Sequence, residues 1–269
     1  MSLTIATWNV NSIRIRLDHL ARVVARCAPD VLCLQETKVT DDLFPTEALA
    51  GLGYPHQVRW GMKAYNGVAI LSRRPLTDDG RQDWAGRADC RHVWATVDGG
   101  PGLGPIRVHS LYLPAGGDRP DPEANPKFAH KLRFLRAQAR WWKAQRDQGP
   151  PAVLAGDFNV APLESDVWSH ARLRRVVTHT DVERDLLTRM MRAGGWEDAV
   201  CRLIPPPQPV FTWWSYRTPD GLTADKGRRL DHLWVSRGLA ERVSDVTILK
   251  ETRAWPTPSD HVPVVVTLA

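Results

Sequence analysis

The chain has 269 residues, of which 43% are hydrophobic and 25% charged, the composition of an ordinary globular protein. This composition excludes disorder, collagen and a coiled coil as descriptions of the whole chain. A chain of this length can bury a large core without disulfides or a structural metal. The formal net charge of +6 suits a polyanionic partner, although many unrelated proteins share such a balance.

No targeting or membrane segment is predicted. The first residues, MSLTIATWNV, lack a basic segment followed by an apolar run, so no signal peptide is expected. No stretch approaches the roughly 18 consecutive apolar residues of a membrane span. The four cysteines form no Cys-x-x-Cys pair and are expected to be reduced core residues: Cys27, Cys33, Cys90 and Cys201. We therefore expect a cytoplasmic protein that does not contact membranes.

Apolar spacing predicts strands and helices in irregular alternation. In chain order, the predicted elements are a strand over 3–8, a helix over 17–27, strands over 31–34, 67–71, 93–97 and 106–113, a helix over 128–142, a strand over 152–155, a helix over 182–193, and strands near 230–235 and 262–268. Irregular alternation favours a mixed sheet and the α/β or α+β class. Without a repeat or a long polar linker, 1–269 is expected to form one domain.

Polar side chains stand where most predicted strands end. They are Asn9, Asn11, Glu36, Tyr112, Asp157, Asn159, Asp231, Asp260 and His261. Taken singly, such residues are usually turn formers, helix caps or solvated groups. Four of them are carboxylates beside strongly apolar segments, where an unpaired charge is costly. Together they suit a hard, oxygen-ligated cation such as Mg²⁺ facing a phosphate. Neither a nucleophilic Ser or Cys nor zinc-type spacing is present, which indicates a phosphodiesterase.

Seven segments occur in the order expected for one known family. They are TWNVNSIR, LQETK, YNGVAILSR, GDFNVAP, FTWWSYR, RRLDHLWVS and SDHVPV. These segments resemble the successive motifs of the endonuclease/exonuclease/phosphatase superfamily, and more narrowly those of the exodeoxyribonuclease III (abasic-site endonuclease) family. The resemblance covers nearly the whole chain. It implies a four-layer α/β sandwich in which two mixed sheets pack face to face, with helices outside and the site at one edge.

The resemblance also implies an activity. Family members use Mg²⁺ or Mn²⁺ and hydrolyse the phosphodiester 5′ to an abasic site in duplex DNA, and many have 3′–5′ exonuclease and 3′-end-cleaning activity. The expected partner is double-stranded DNA with abasic sites or 3′ ends. We expect a monomer without an obligate protein partner.

Roles follow from the resemblance, position by position. Metal binding is assigned to Glu36, Asn9 and Asp260, and phosphate binding to Asn11. Activation of water is assigned to Asp157 with Asn159 as its orienting neighbour, and contact with the scissile phosphate to Tyr112 and His261, the latter oriented by Asp231. Trp213, or its neighbour Trp214, and Leu230 match the pocket for the abasic sugar. For Trp214 a core position is the favoured alternative.

The sequence departs from some relatives at two positions. Ala115 stands where many members carry Asn or Gln, which removes an amide that could touch phosphate. Arg228 stands where some carry an aromatic pocket residue, and its side chain could bind the DNA backbone instead. This leaves the balance of endonuclease and exonuclease activity open. Further candidates for DNA contact, each with a solvated surface as its alternative, are Trp60, Lys63, Arg172, Arg174, Arg175, Arg184, Lys226 and Arg229.

Two other functions remain possible on the sequence. A phosphatase or phospholipid diesterase of the same superfamily would keep the same catalytic residues, and fold analogy alone does not fix a substrate. A DNA-binding module without activity is the second alternative. It is disfavoured because Glu36, Asp157 and His261 are all present.

Overall fold

A computed structural model describes residues 2–217 and 223–269. The helices are α1 (Leu17–Cys27), α2 (Thr46–Gly51), α3 (Pro126–Gln145), α4 (His170–Leu173), α5 (Asp181–Gly194), α6 (Ala199–Leu203) and α7 (Arg237–Ala240). The strands are β1 (Leu3–Asn9), β2 (Val31–Gln35), β3 (His56–Trp60), β4 (Val68–Ser72), β5 (Leu76–Arg81), β6 (His92–Asp98), β7 (Pro105–Tyr112), β8 (Ala152–Asp157), β9 (Trp196–Asp198), β10 (Asp231–Ser236), β11 (Val243–Ile248) and β12 (Val264–Leu268).

The strands form two six-stranded sheets. The strand order is β11-β12-β1-β2-β4-β3 in the first and β5-β6-β7-β8-β10-β9 in the second. Each sheet contains one parallel pair, β1 with β2 and β7 with β8, and antiparallel pairs elsewhere. The predicted mixed sheets are confirmed.

Side chains alternate along each strand, so one face of each sheet points into the space between the two sheets. In β1, Leu3 and Ile5 join the cluster that also contains Val108 and Val153 of the second sheet. Ala6 and Trp8, at even-numbered positions of the same strand, point to the other face, as expected because side chains alternate along a strand. This alternation lets each inner face bury a continuous apolar layer.

Helices cover the two outer faces. On the first sheet, Leu20 and Val23 of α1 pack with Leu32 and Leu34 of β2. On the second, α3 and α5 contribute to the cluster that contains Leu154 of β8. The result is the expected four-layer sandwich.

Local sequence explains where the two long helices begin. The side chain of Asn125 accepts a hydrogen bond from the Lys127 backbone N–H, and Pro126 occupies the first turn of α3, a position that proline tolerates. Thr180 and Glu183 cap α5 reciprocally, which satisfies backbone donors that the first turn leaves free. Both helices were predicted, with ends shifted by a few residues.

Four strands were missed in the sequence: β3, β5, β9 and β11. All residues of β3 are partly buried and β5 is mostly exposed, so neither shows a clear apolar alternation.

Two cysteines also differ from expectation, because Cys27 and Cys201 are only partly buried while Cys33 and Cys90 are core residues. Within the described residues the cysteines are free, and no helix there is long and apolar enough to cross a membrane.

Candidate active site

Strand register gathers the predicted polar groups at one edge of the sandwich. The parallel β7 and β8 end side by side at the pair Tyr112 and Asp157. Antiparallel β10 begins beside the same point, with Asp231 paired to Asp157. In the facing sheet, β1 and β2 end together at the pair Asn9 and Gln35. Each sheet therefore delivers polar groups to the same edge.

Asn9 joins the two sheets at this edge. Its Nδ2 donates to Glu36 Oε1 and to Asp157 Oδ2, each at 2.9 Å. Asn9 is fully buried, and Glu36 has a left-handed backbone with φ 51°, a conformation rare for this residue type. One amide thus bridges two carboxylates that lie on different sheets.

Glu36 is held in its charged form. Burial alone would raise the pKa of this carboxyl, but the Lys38 ammonium and hydrogen bonds from Asn9 and Tyr112 lower it overall. Tyr112 Oη donates to Glu36 Oε1 at 2.7 Å, and Lys38 Nζ lies 2.7 Å from Glu36 Oε2. Lys38 was missed as a site residue, although it stands two positions after Glu36 in the quoted motif LQETK.

His261 lies between two aspartates. Its Nδ1 is 2.8 Å from Asp231 Oδ2 and its Nε2 is 3.6 Å from Asp157 Oδ2. Burial disfavours the imidazolium, but both carboxylates favour it, and the pKa of His261 rises to about 10. Burial raises the pKa of Asp157 to about 7 although His261 opposes this shift. The Thr212 hydroxyl donates to Asp231 Oδ2 at 2.7 Å, which fixes the carboxylate that orients the ring.

Asn159 meets Asp157 through a turn. Residues two apart share one side of an extended chain, but the backbone is not extended here, because Asn159 has φ 51°. Its backbone N–H donates to Asp157 Oδ1 at 2.9 Å and its Nδ2 to Asp157 Oδ2 at 3.1 Å. Beneath it, the buried Lys131 Nζ donates to the Asn159 carbonyl at 2.7 Å. Lys131 was missed because it lies in the middle of α3, far from any motif.

Asp260 lines the same cavity as Asp157 and is held by two side chains. Its Oδ1 accepts from Asn11 Nδ2 at 3.1 Å and its Oδ2 from Trp213 Nε1 at 2.9 Å. The described contacts of Asp260 include no direct bond to Glu36. The exposed Tyr216, which was not predicted, lies 3.5 Å from Asn11 Nδ2 through its Oη.

A cavity of about 620 Å³ opens beside these groups. Its lining includes Glu36, Asp157 and His261 together with Leu230 and Arg228. The remaining lining includes Tyr112, Ala115, Asn159, Trp168, Leu173, Trp213, Lys226 and Asp260. The expected pocket residues Trp213 and Leu230 thus lie in the same cavity as the expected catalytic groups. Trp214 is 1% exposed and lies in the core, as favoured.

The structure excludes Arg229 as a DNA contact. It was a candidate for DNA contact, but it is 1% exposed and lies 2.8 Å from both Asp166 and Asp198. Two carboxylates hold its charge inside the protein, so it cannot reach DNA.

The remaining basic candidates lie at the surface or near it. Arg174 and Arg184 face Asp181 at 3.4 Å, which weakens the case for either as a DNA contact. Arg172 and Lys226 lie over the Trp168 ring at the cavity rim. Arg175 and Lys63 are exposed. The partly buried Trp60 packs against the core between the sheets.

The donor chemistry fits a divalent cation. Asp157, Asp231 and His261 each offer a ligand atom within 4.8 Å of the others, and Asp231 Oδ1 has no hydrogen-bond partner. Of the expected metal residues, Asn9 contacts both Asp157 and Glu36, and Asp260 lines the same cavity. As the imidazolium favoured by its two aspartates, His261 offers no lone pair, so the donors of this group are carboxylate oxygens, the ligand type that Mg²⁺ prefers.

Comparison with known proteins decides the family. The sequence profile of the Endonuclease/Exonuclease/phosphatase family matches residues 6–261. The chain belongs to this family. It is 31% identical over 264 residues to exodeoxyribonuclease III of Haemophilus influenzae, covering 96% of this chain and 97% of that protein.

Solved structures of the family agree. A 3′ phosphatase from Neisseria, bound to a product DNA hairpin, superposes with a TM-score of 0.90 at 32% identity, covering 99% of each chain. An abasic-site (AP) endonuclease from Archaeoglobus fulgidus gives the same TM-score, identity and coverage. The fold class and the enzyme class, a phosphodiesterase of the exodeoxyribonuclease III type, are confirmed.

Proposed function

We propose that this family member is a Mg²⁺-dependent DNA repair nuclease that hydrolyses the phosphodiester 5′ to an abasic site and removes groups from 3′ ends. The observation that carries the proposal is the position of Asp157. It lies 2.9 Å from the Asn9 amide that also holds Glu36, and 3.6 Å from His261 Nε2. The Asp157 and Glu36 carboxylates and the His261 ring are therefore linked at the edge where we propose that the scissile phosphate binds.

Side chains of this protein position the attacking water and face the negative charge on the phosphate. The Asp157 carboxylate takes a proton from the attacking water, while Asn159 fixes that carboxylate through two hydrogen bonds. The His261 imidazolium and the Tyr112 hydroxyl face the negative charge that grows on the phosphate oxygens. Asp231 keeps the His261 ring in place from its other nitrogen.

Glu36 is the residue that we propose to hold the cation, with Asn9 and Asp260 beside it. The cation, when bound, neutralises charge on the phosphate and on the leaving 3′ oxygen. Lys38 Nζ lies 2.7 Å from Glu36 Oε2, so a cation held by Glu36 would share this carboxylate with Lys38 or displace it.

DNA as the substrate is supported by the relatives and by the cavity. The similar proteins are named as an exodeoxyribonuclease, a 3′ phosphatase bound to a DNA hairpin and an AP endonuclease. The Trp213 and Leu230 side chains line a cavity next to the catalytic groups. Enzymes that take a nucleotide out of the DNA stack receive it in a pocket of this kind beside the catalytic groups.

A substrate panel tests the proposal. Duplex DNA with a 3′-terminal phosphate, intact duplex, inositol phosphates and phospholipid vesicles are compared at equal phosphate concentration, with Mg²⁺ and with EDTA. We expect Mg²⁺-dependent reaction on DNA only. Turnover of the inositol phosphates or lipids without turnover of DNA would contradict the proposal and assign the chain to the phosphatase branch.

A further inference from the structure

The layer between the two sheets becomes polar one step before the candidate site. Farther from the site, β1 and β7 fill this layer with apolar side chains such as Ile5 and Val108. Two residues later on the same strands stand Thr7 and Ser110, and Gln35 ends the neighbouring β2. Residues two apart on a strand share a face, so these three side chains point between the sheets. All three are fully buried.

The amide of Gln35 links the two sheets. Its Nε2 donates to Ser110 Oγ in the second sheet and to Thr7 Oγ1 in its own sheet, each at 3.1 Å. Its Oε1 accepts from the Thr7 hydroxyl at 3.3 Å. The Ser110 hydroxyl in turn donates to the Leu34 carbonyl of β2 at 3.2 Å. Two hydrogen bonds therefore cross from β2 to β7, and both amide hydrogens of Gln35 are used.

This cross-link lies directly beside the residues that meet at the site. Glu36 follows Gln35 in the chain, and Tyr112 lies two residues after Ser110 on the same face of β7. Tyr112 Oη donates to Glu36 Oε1 at 2.7 Å, across the gap between the sheets. Glu36 has a left-handed backbone with φ 51°, a strained conformation that persists only where the surrounding structure holds it. Gln35 anchors the residue immediately before this turn.

Apolar packing alone does not fix the relative position of the sheets. The hydrophobic effect is non-directional, so two apolar faces can pack at several displacements along the strands. Hydrogen bonds require defined distances and angles, and a buried amide without its partners is costly. The bonds of Gln35 to Ser110 and Thr7 are thus satisfied at one displacement, and at that displacement Glu36 reaches Tyr112.

We propose that Gln35 is a positioning residue, which through its bond to Ser110 holds Glu36 at the place where that carboxylate binds the cation. This inference rests on the proposed function, because it takes Glu36 as the residue that holds the cation. Gln35 is fully buried and its amide is used by Thr7 and Ser110. It therefore acts through Glu36 and does not touch the substrate.

A binding experiment without DNA tests this role. Gln35→Met keeps the length of the side chain and removes its hydrogen bonds. Binding of Mn²⁺ to the full chain is measured by electron paramagnetic resonance of the free ion. We expect the Kd for Mn²⁺ to rise about tenfold or more, as when a group that orients a metal ligand is removed. An unchanged Kd would overturn the positioning role.

Gln138→Met is the matched control. Gln138 is also a fully buried glutamine, and its Oε1 accepts from Trp142 Nε1 at 2.6 Å within α3. Its replacement removes an amide of the same kind and is expected to lower the free energy of unfolding, measured by urea denaturation, while the Kd for Mn²⁺ stays at the wild-type value. An equal rise of the Kd in both variants would assign the effect to general destabilisation and contradict the proposal.

A triple variant separates position from stability. Thr7→Val, Gln35→Met and Ser110→Ala together remove every side-chain partner of the polar layer. Replacing both partners of a buried hydrogen bond by apolar groups is nearly neutral for stability, so the triple variant is expected to be more stable than Gln35→Met alone. Its Kd for Mn²⁺ is expected to remain raised. A wild-type Kd in the triple variant would show that the cross-link does not position Glu36.

The two proposals fail differently. Wild-type affinity of Gln35→Met for Mn²⁺, with Mg²⁺-dependent cleavage of an abasic duplex by the wild-type protein, would overturn the role of Gln35 and leave the proposed function intact. Equal Mn²⁺ affinity of the wild-type protein and Glu36→Gln, with no cleavage of DNA by the wild-type protein, would overturn both.

Discussion

At the scale of single residues, the proposed reaction depends most on Asp157. It contacts the amides of Asn9 and Asn159 and faces His261, so it is fixed from three directions. Its strand-end position was visible in the sequence, and so was the family motif GDFNVAP. The bridging role of Asn9 was not, because no pattern in one strand shows which carboxylate of another sheet it will meet.

Replacement of Asp157 by Asn removes the proton acceptor but keeps the size and the hydrogen-bonding oxygen. We expect cleavage of an abasic duplex to fall by a factor of about 10² to 10⁴, while affinity for that duplex stays close to wild type. Single-turnover kinetics and fluorescence anisotropy measure the two quantities. Asp185→Asn, on the exposed side of α5, is the matched control. Near wild-type cleavage by Asp157→Asn would remove it from the role of base.

At the scale of elements, a buried ion pair joins α3 to α5. Lys131 and Glu183 are both 0% exposed and lie 2.5 Å apart. The apolar spacing of α3 and the capping pattern of α5 made both helices predictable, but the ion pair was not. Nothing in the sequence marks Lys131 as buried, since only tertiary packing decides that its side of the helix is covered.

Replacing Lys131 by Met leaves Glu183 buried without its cation. We expect the free energy of unfolding to fall by about 3–5 kcal/mol, measured by urea denaturation with circular dichroism. Lys127→Met lies one turn earlier on an exposed position and should change stability by less than about 0.5 kcal/mol. A Lys131→Met protein as stable as this control would show that the pair contributes nothing.

Edge strands such as β5 could not be predicted from the sequence, whereas central strands could. The central strands β1, β2, β7 and β8 were predicted because most of their residues are buried and their sequences are rich in apolar residues. The strand β5, LTDDGR, carries polar residues on an exposed edge. β5 forms a strand because it pairs with β6, and the sequence of β5 alone does not predict that pairing.

At the scale of the whole molecule, the outer, helix-covered face of the second sheet contains a buried cluster of histidines and tryptophans. His92 Nε2 lies 3.0 Å from His109 Nδ1, and Trp141 and Trp142 pack against both rings. Burial lowers the pKa of His92 to about 3 and that of His109 well below its usual value. Both rings are neutral in the folded protein.

This cluster makes stability depend on pH. The unfolded chain takes up a proton on His92 below pH about 6.5, whereas the folded protein does not until pH about 3, so stability is lost as the pH falls through that window. Between pH 7.5 and 5.5, we expect wild type to lose about 1.4 kcal/mol more unfolding free energy than His92→Phe. Equal losses in the two proteins, measured by urea denaturation, would show that His92 is not held neutral.

One cleavage experiment, on a 5′-labelled duplex with a single abasic-site analogue, shows whether the protein incises DNA at the lesion. With Mg²⁺ we expect one product, cut on the 5′ side of the lesion and ending in a 3′-hydroxyl, and with EDTA we expect no product. A ladder from the 3′ end of intact duplex, without incision at the lesion, would retain the nuclease but contradict the abasic-site activity. No cleavage of any DNA with Mg²⁺ would contradict the central claim that this edge of the sandwich hydrolyses DNA phosphodiesters.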